Sequence, residues 1–246
     1  MHQNLSMKYS IIIPANNEEM HIGKCLDSIK ACHVSSRQDI EVIVVLNRCT
    51  DATEAIARKH GATIVKEDSK NLSRIRNRGA ALASGDIIVT IDADSYMSTN
   101  MLSEISNALE TGRYIGGGAR VLPERESLGI RTTMLLLNVT MFLTGLSGGL
   151  FWCLRRDFEA IGGFNEALLF SEDLDFAKRL KTYGRKRKLK FTMLKNVYIV
   201  TSCRKFDKFG DWFVLKLILF RGKEISRGLQ GQDHSLANWL FYDFDR

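Results

Sequence analysis

The chain has 246 residues, is 45% hydrophobic and carries 35 basic against 28 acidic side chains, a formal net charge of +7. That length and apolar content support one large domain with a substantial core. Only two prolines (Pro14 and Pro123) and no Gly/Ser-rich or low-complexity stretch interrupt the chain, which argues against a linker. Its five cysteines (Cys25, Cys32, Cys49, Cys153 and Cys203) form an odd set without CxxC spacing. That excludes a disulfide framework and a zinc ribbon and points to a reducing compartment, the cytoplasm.

Met7-Lys8 leads directly into an apolar run with no secretory leader before it. Lys8–Ile13, Glu41–Leu46, Thr63–Lys66 and Asp86–Ile91 read as strands, and Glu18–Ala31, Asp51–His60 and Leu72–Ala83 between them show helical spacing. Gly61 and Gly85 stand where helix stops belong. Such alternation predicts an α/β fold with a central, mostly parallel sheet flanked by helices and joined by right-handed crossovers. No GxGxxG follows the first strand, so a hydride-transfer dinucleotide fold is disfavoured.

Further on, Met101–Leu109 reads as a helix and Tyr114–Val121 as a strand through Gly116-Gly117-Gly118. The uncharged stretch Thr132–Leu154 is long enough to cross a bilayer. Asn138, Thr140, Thr144, Ser147 and Gly148-Gly149 interrupt it, so it is read as a buried helix, about Ile130–Leu143, and a strand, Leu150–Leu154. An interfacial or dimer-forming helix is the alternative. Glu172–Tyr183 reads as a helix stopped by Gly184, Phe191–Thr201 as a late strand, and Phe209–Arg227 as a final apolar amphipathic helix. Lys181–Lys195 holds seven basic residues and no acidic one. That run is either a solvated edge or a surface that attracts a nucleotide or lipid phosphate. Nucleic acid is not expected as a partner, because no recognised binding module accompanies the run.

The run Asp86 to Asp94 ends an apolar strand in two carboxylates one residue apart. Residues two apart on an extended chain point to one side, so Asp92 and Asp94 can aim at one point past the carboxyl end of a strand, where open α/β sheets place ligands. Hard oxygen donors there suit Mg²⁺ or Mn²⁺, and such an ion suits a diphosphate. Pro14 to Glu19 and Asn47 to Asp51 follow two other strands and reach the same rim. Taken alone, Asp51 could simply cap a helix, and Glu18 could favour a helix start.

The pair Glu172-Asp173, behind Gly162-Gly163-Phe164, completes a pattern that resembles the family 2 glycosyltransferases, inverting enzymes of GT-A (Rossmann-like) fold. The matching elements stand in order: Ser10 to Glu18, Asp51, Arg76-Asn77-Arg78-Gly79 with Ala83 to Asp86, Asp92-Ala93-Asp94, Arg155 to Phe158 with Ile161 to Phe164, and Ser171-Glu172-Asp173. They cover roughly Lys8 to Arg204. The resemblance implies one domain over 1–246, with a nucleotide-sugar-binding half at 8–121, an acceptor-binding and catalytic half at 122–204, and a terminal helix and tail at 205–246.

By residue, it implies that Pro14, Asn16, Glu18 and Asp51 hold base and ribose, and that Arg76 meets donor phosphate oxygens. Asp92 would face the ribose, Ala93 would belong to the nucleotide-sugar site, and Asp94 would ligate Mg²⁺ or Mn²⁺. Asp173 would be the general base, ionised at neutral pH, with Glu172 and Gly163 at the acceptor. Asp175, two positions on in a helix, should not share a face with Asp173. Thr201 to Lys205 lacks the late histidine of some relatives, leaving Arg204 for the diphosphate. No QxxRW pattern is present, which favours transfer of a single sugar over polymerisation.

The expected partners are therefore a UDP-sugar donor and a sugar, lipid-linked or small-molecule acceptor, in cell-surface glycan or glycolipid synthesis. Peripheral association with the cytoplasmic face of a membrane and oligomerisation fit the basic run and the apolar last helix. A sugar-phosphate nucleotidylyltransferase and a catalytically inactive nucleotide-binding scaffold are the alternatives.

Overall fold

The computed structural model describes residues 7–32, 40–144, 149–169 and 171–220. Its first half alternates as expected: β1 (Tyr9–Ala15), α1 (Ile22–Lys30), β2 (Ile40–Leu46), α2 (Thr53–Lys59), β3 (Thr63–Lys66), α3 (Leu72–Ala80) and β4 (Ile87–Ile91). There follow β5 (Ser95–Met97), α4 (Met101–Glu110), β6 (Tyr114–Pro123), α5 (Leu128–Thr144), β7 (Leu150–Leu154) and α6 (Arg155–Ala160). Last come α7 (Glu172–Lys186), β8 (Lys190–Thr201) and α8 (Arg204–Phe209). Residues 213–220 are again helical and are called α9.

The strands form one mixed sheet in the order β3-β2-β1-β4-β7-β6-β8-β5. β1, β2, β3 and β4 are parallel, while β7 runs antiparallel to both β4 and β6. Two reversals return β6 to the direction of β4, and β8 is parallel to β6. The carboxyl ends of β1, β2, β4, β6 and β8 thus share one edge.

Parallel strands buried on both faces need apolar side chains on both, and β1 supplies them. Tyr9, Ile11 and Ile13 pack with Ile22 and Leu26 of α1 and Leu102 and Ile105 of α4. Ile12 faces the opposite layer, with Ile75 of α3 and the aromatic group Phe151, Phe158, Phe164 and Phe176. α3 lies so close to the sheet that a Cβ on Gly79 would stand 2.6 Å from Ile12 Cγ2 and 2.8 Å from Val45 Cγ2.

Four local expectations change. α1 begins at Ile22, because Glu18 is drawn away into the rim. α7 runs through Gly184 to Lys186; the glycine lets helix and sheet approach, and a Cβ there would lie 2.7 Å from Ile115 Cγ2. The last helix is broken at Gly210, whose φ of +87° separates α8 from α9, and the expected extent beyond 220 lies outside the described residues. The helix expected to be buried, α5, buries Ile130 and Thr133 but exposes Leu135, Leu136, Leu137 and Val139.

The basic run 181–195 is also placed. α7 starts at the rim with Glu172 and spans 15 residues, about 22 Å at 1.5 Å per residue. Lys190 pairs with Tyr114 at the start of β6, so the run sits at the opposite edge from Asp92 and Asp94. It is not part of a phosphate site at that rim.

Candidate active site

At the carboxyl edge of the sheet the loops enclose a cavity of about 140 Å³. Pro14, Ala15, Asn16 and Glu18 reach it from β1, Asn47 from β2, and Leu72 and Ile75 from α3. Asp92, Ala93 and Asp94 line it from β4, and Arg204 and Lys205 from beyond β8. Seven of the residues singled out in the sequence therefore meet at one place: Pro14, Asn16, Glu18, Asp92, Ala93, Asp94 and Arg204. The loops are held in uncommon backbone: Asn17, Arg48 and Ser171 have φ of 51°, 52° and 61°. Non-glycine residues keep such values only where surrounding contacts impose them.

Two arginines organise the acids. Arg204 forks over Glu18, with Nη1 to Oε2 and Nη2 to Oε1 both at 2.8 Å, and Nη2 also lies 2.8 Å from Asp94 Oδ2. Burial works against this guanidinium, but Glu18 and Asp94 more than offset it and hold its pKa above the ordinary value. Glu18 is itself buried, and its amide donates to Thr53 Oγ1 at 2.7 Å.

Arg76 is the second, only 2% exposed on α3. Its Nη1 donates to Asp173 Oδ1 (2.7 Å) and Glu172 Oε1 (3.1 Å), and its Nη2 to Asp92 Oδ1 (3.0 Å). Its guanidinium carbon stands 5.1 Å from the centre of the Phe164 ring, and its buried Nε has no hydrogen-bond partner. The family resemblance implies donor phosphates as the partners of Arg76; in the structure its Nη atoms face three carboxylates instead.

Three acids around one guanidinium are under-neutralised. Burial and the charge of Asp173 push Glu172 up to about 7, against the pull of Arg76. Asp173 is raised as well, by burial and by Asp92, while Arg76 and the Gly149 amide oppose the shift. Both stand in the first turn of α7, where the positive end of the helix dipole favours negative charge. Asp175 turns away, pairing with Arg179 at 2.6 Å, as helical spacing requires.

Five expected residues are not on the cavity lining: Arg76, Glu172 and Asp173, which connect to it through Asp92, and Asp51 and Gly163, which lie apart. Asp51 uses both oxygens within the protein, accepting from the Glu19 amide and from the Thr53 amide at 3.0 Å each, and so ties the loops after β1 and β2 together. Gly163 lines a separate groove with Arg155 and Phe158, and a Cβ there would meet Asn77 Oδ1 at 2.6 Å. Asn47 and Lys205 also line the cavity, although the sequence assigned neither a role of its own. Asn47 donates to the Glu67 and Ser69 carbonyls at 2.6 and 2.8 Å, shaping the floor of the rim. Its position right after an apolar strand was the available signal.

Among the described residues no three His, Cys, Asp or Glu side chains converge as a metal cage. Of the three carboxylates on the cavity wall, Glu18 has both oxygens held by Arg204, which leaves Asp92 and Asp94 as the candidate donors. Hard oxygens in that number fit Mg²⁺ or Mn²⁺, which take one or two carboxylates and fill the remaining positions with water and phosphate oxygens.

The fold recurs in solved structures. The chain superposes on S. aureus TarS 1–349 in complex with UDP-GlcNAc with a TM-score of 0.66 at 17% identity, over 96% of this chain and 73% of that one. It matches the mannosyltransferase PcManGT from Pyrobaculum calidifontis, in complex with GDP-Man and Mn²⁺, with a TM-score of 0.65 at 19% identity, over 98% and 72%. These likenesses establish the GT-A fold.

In sequence, the chain is 28% identical over 103 residues to glycosyltransferase GlyA of Streptococcus pneumoniae serotype 4, covering 40% of this chain and 14% of that one. It is 29% identical over 132 residues to the poly(ribitol-phosphate) beta-glucosyltransferase of Bacillus spizizenii, covering 48% and 21%. The chain thus spans well under half the length of these relatives. The sequence signature of the family matches residues 10–160, more than half of the chain, which therefore belongs to glycosyl transferase family 2.

Proposed function

We propose that this chain is an inverting glycosyltransferase that moves a single sugar from a nucleoside-diphosphate sugar, a UDP-sugar, to an acceptor hydroxyl. The observation that carries this reading is Arg76, which joins Asp92 on the donor cavity to Asp173 and Glu172 beside it. Donor site and base are thereby built as one unit. The nucleotide complexes of neighbouring structures support the donor class.

The nucleotide occupies the cavity between Pro14, Asn16 and Asp92, and Arg204, next to Asp94, is placed to turn toward the diphosphate. A divalent ion held by Asp94 would act as a Lewis acid on the departing diphosphate. The Asp173 carboxylate takes the proton of the acceptor hydroxyl while that oxygen bonds to the anomeric carbon. The bond from that carbon to the phosphate oxygen breaks, and its electron pair leaves with the diphosphate. Attack from the face opposite the leaving group inverts the carbon. A carboxyl lifted by burial is a stronger base than a free one, which suits it to proton transfer near neutral pH. Arg76 fixes its direction.

The test is turnover across a panel of UDP- and GDP-sugars with Mn²⁺, Mg²⁺ or EDTA. Asp173→Asn should lower kcat roughly 10²-fold or more while leaving UDP binding by calorimetry near wild type. Wild-type turnover by Asp173→Asn, or no hydrolysis or transfer from any donor, would overturn the reading.

A further inference from the structure

Helices α5 and α9 spring from one junction. Arg125, just before α5, pairs with Asp207 Oδ1 at 2.6 Å and Asp211 Oδ1 at 2.7 Å. α5 passes the start of α9 so closely that a Cβ on Gly129 would lie 2.6 Å from the Asp211 carbonyl oxygen. From there both helices present apolar side chains to solvent. On α5, Leu135 is 65% exposed, with Leu136, Leu137 and Val139 beside it. On α9, Leu219 and Phe220 are 78% and 83% exposed. A surface helix of a globular domain turns its apolar stripe inward, and exposed apolar surface on two neighbouring helices marks an interaction site.

We propose that α5 and α9 dock on the surface of an anionic lipid bilayer, lying within its interfacial layer. Charge decides the occupant. Residues 128–144 and 212–220 contain no Asp or Glu, and their two charges, Arg131 and Lys216, are both basic and exposed. A second copy set on this patch would bring only cations to its cations and no acid to pair them. Lipid phosphates supply the missing sign. Trp212, 48% exposed in the turn just before α9, is the residue type that settles at headgroup depth.

The helices lie on the bilayer rather than cross it. α5 has 17 residues, about 25 Å of helix. No helix among the described residues is long and apolar enough to span a membrane. This placement also bears on access to the cavity. α5 follows β6, and α8, which starts at cavity-lining Arg204, leads into α9. The docking surface therefore sits on the same edge of the sheet as the cavity. The distant run 181–195 takes no part.

This inference goes beyond the transfer reading, and its test needs no turnover, so either can fail alone. The full chain is floated with vesicles of phosphatidylcholine, or of phosphatidylcholine and phosphatidylglycerol at roughly 3:1, in about 0.1 M and about 0.5 M NaCl. Binding to the anionic vesicles is expected to exceed binding to neutral ones roughly tenfold and to fall with salt. The double variant Leu135→Glu/Val139→Glu should lose roughly tenfold or more in partitioning. Leu219→Glu, on the other helix, gives an independent variant should the first fail to melt cooperatively. No flotation with anionic vesicles, or wild-type flotation of both variants, would overturn the proposal. So would a dimer in light scattering that Leu135→Glu/Val139→Glu disperses, which would assign the surface to a second copy.

Discussion

Arg204 Nη2 stands 2.8 Å from Asp94 Oδ2, so the carboxylate we propose as the ligand of a divalent ion is already neutralised from within the protein. An incoming cation has to displace that guanidinium. The displaced group is then beside the cavity with a positive charge to offer a diphosphate. Arg204→Gln is therefore expected to bind Mn²⁺ alone about three- to tenfold more tightly, and UDP with Mn²⁺ about tenfold more weakly. Manganese titration followed by electron paramagnetic resonance, then calorimetry with UDP, separates the two. Unchanged Mn²⁺ affinity would show that Arg204 and the ion do not compete for Asp94.

The same substitution leaves Glu18 buried without its fork. Breaking a buried pair by removing one partner costs about 3–5 kcal/mol, because the other charge stays uncompensated. Arg204→Gln should melt well below wild type, and Glu18→Gln added to it should restore much of the loss. A double variant no more stable than the single one would mean that Glu18 finds another partner.

Much of this arrangement was legible in the sequence, and the parts that were not share a cause. The core strands β1, β2, β4 and β7 read directly, because strands covered on both faces are continuous apolar runs. β5 is three residues long, Ser-Tyr-Met, too short for a period to show. Gly184 reads as a helix stop by local rule, yet it lies inside α7, where a Cβ would stand 2.7 Å from Ile115 Cγ2 of a distant strand. Glu18 has a helix-start signature, but its partner is Arg204, 186 residues away. The contacts of Arg76 were hidden for the same reason, since its three acids come from two other segments. Local chemistry marked which residues matter at the rim, and tertiary pairing decided which of them touch.

Arg76→Lys is expected to be far from conservative. A lysine offers one compact charge where the guanidinium reaches Asp92, Glu172 and Asp173 along separate N–H directions. At least one buried carboxylate is left unpaired, at a cost of about 3 kcal/mol. For a chain of this size that is a fall in Tm of about 6–12 °C. Activity should fall with it even under conditions where the variant is folded, because Asp173 loses its orientation. A wild-type kcat in the Arg76→Lys enzyme would mean that the base is positioned by other contacts.

Glu172 makes the pH dependence of stability predictable in sign. Its folded-state pKa, about 7, lies above the ordinary value of 4.5. Between those values the folded chain keeps a proton that the unfolded chain has released. Stability therefore falls as pH rises through this window and levels off above it, since it declines wherever the native state binds more protons. The upward shift of Asp173 has the same sign. A glutamine side chain is nearly isosteric with the protonated acid and does not ionise. Glu172→Gln should thus match wild type in Tm near pH 4.5 and exceed it by a few degrees above about pH 7, measured with EDTA and without nucleotide. A Tm difference that stays constant from about pH 5 to pH 8 would show that Glu172 does not hold its proton in the folded chain.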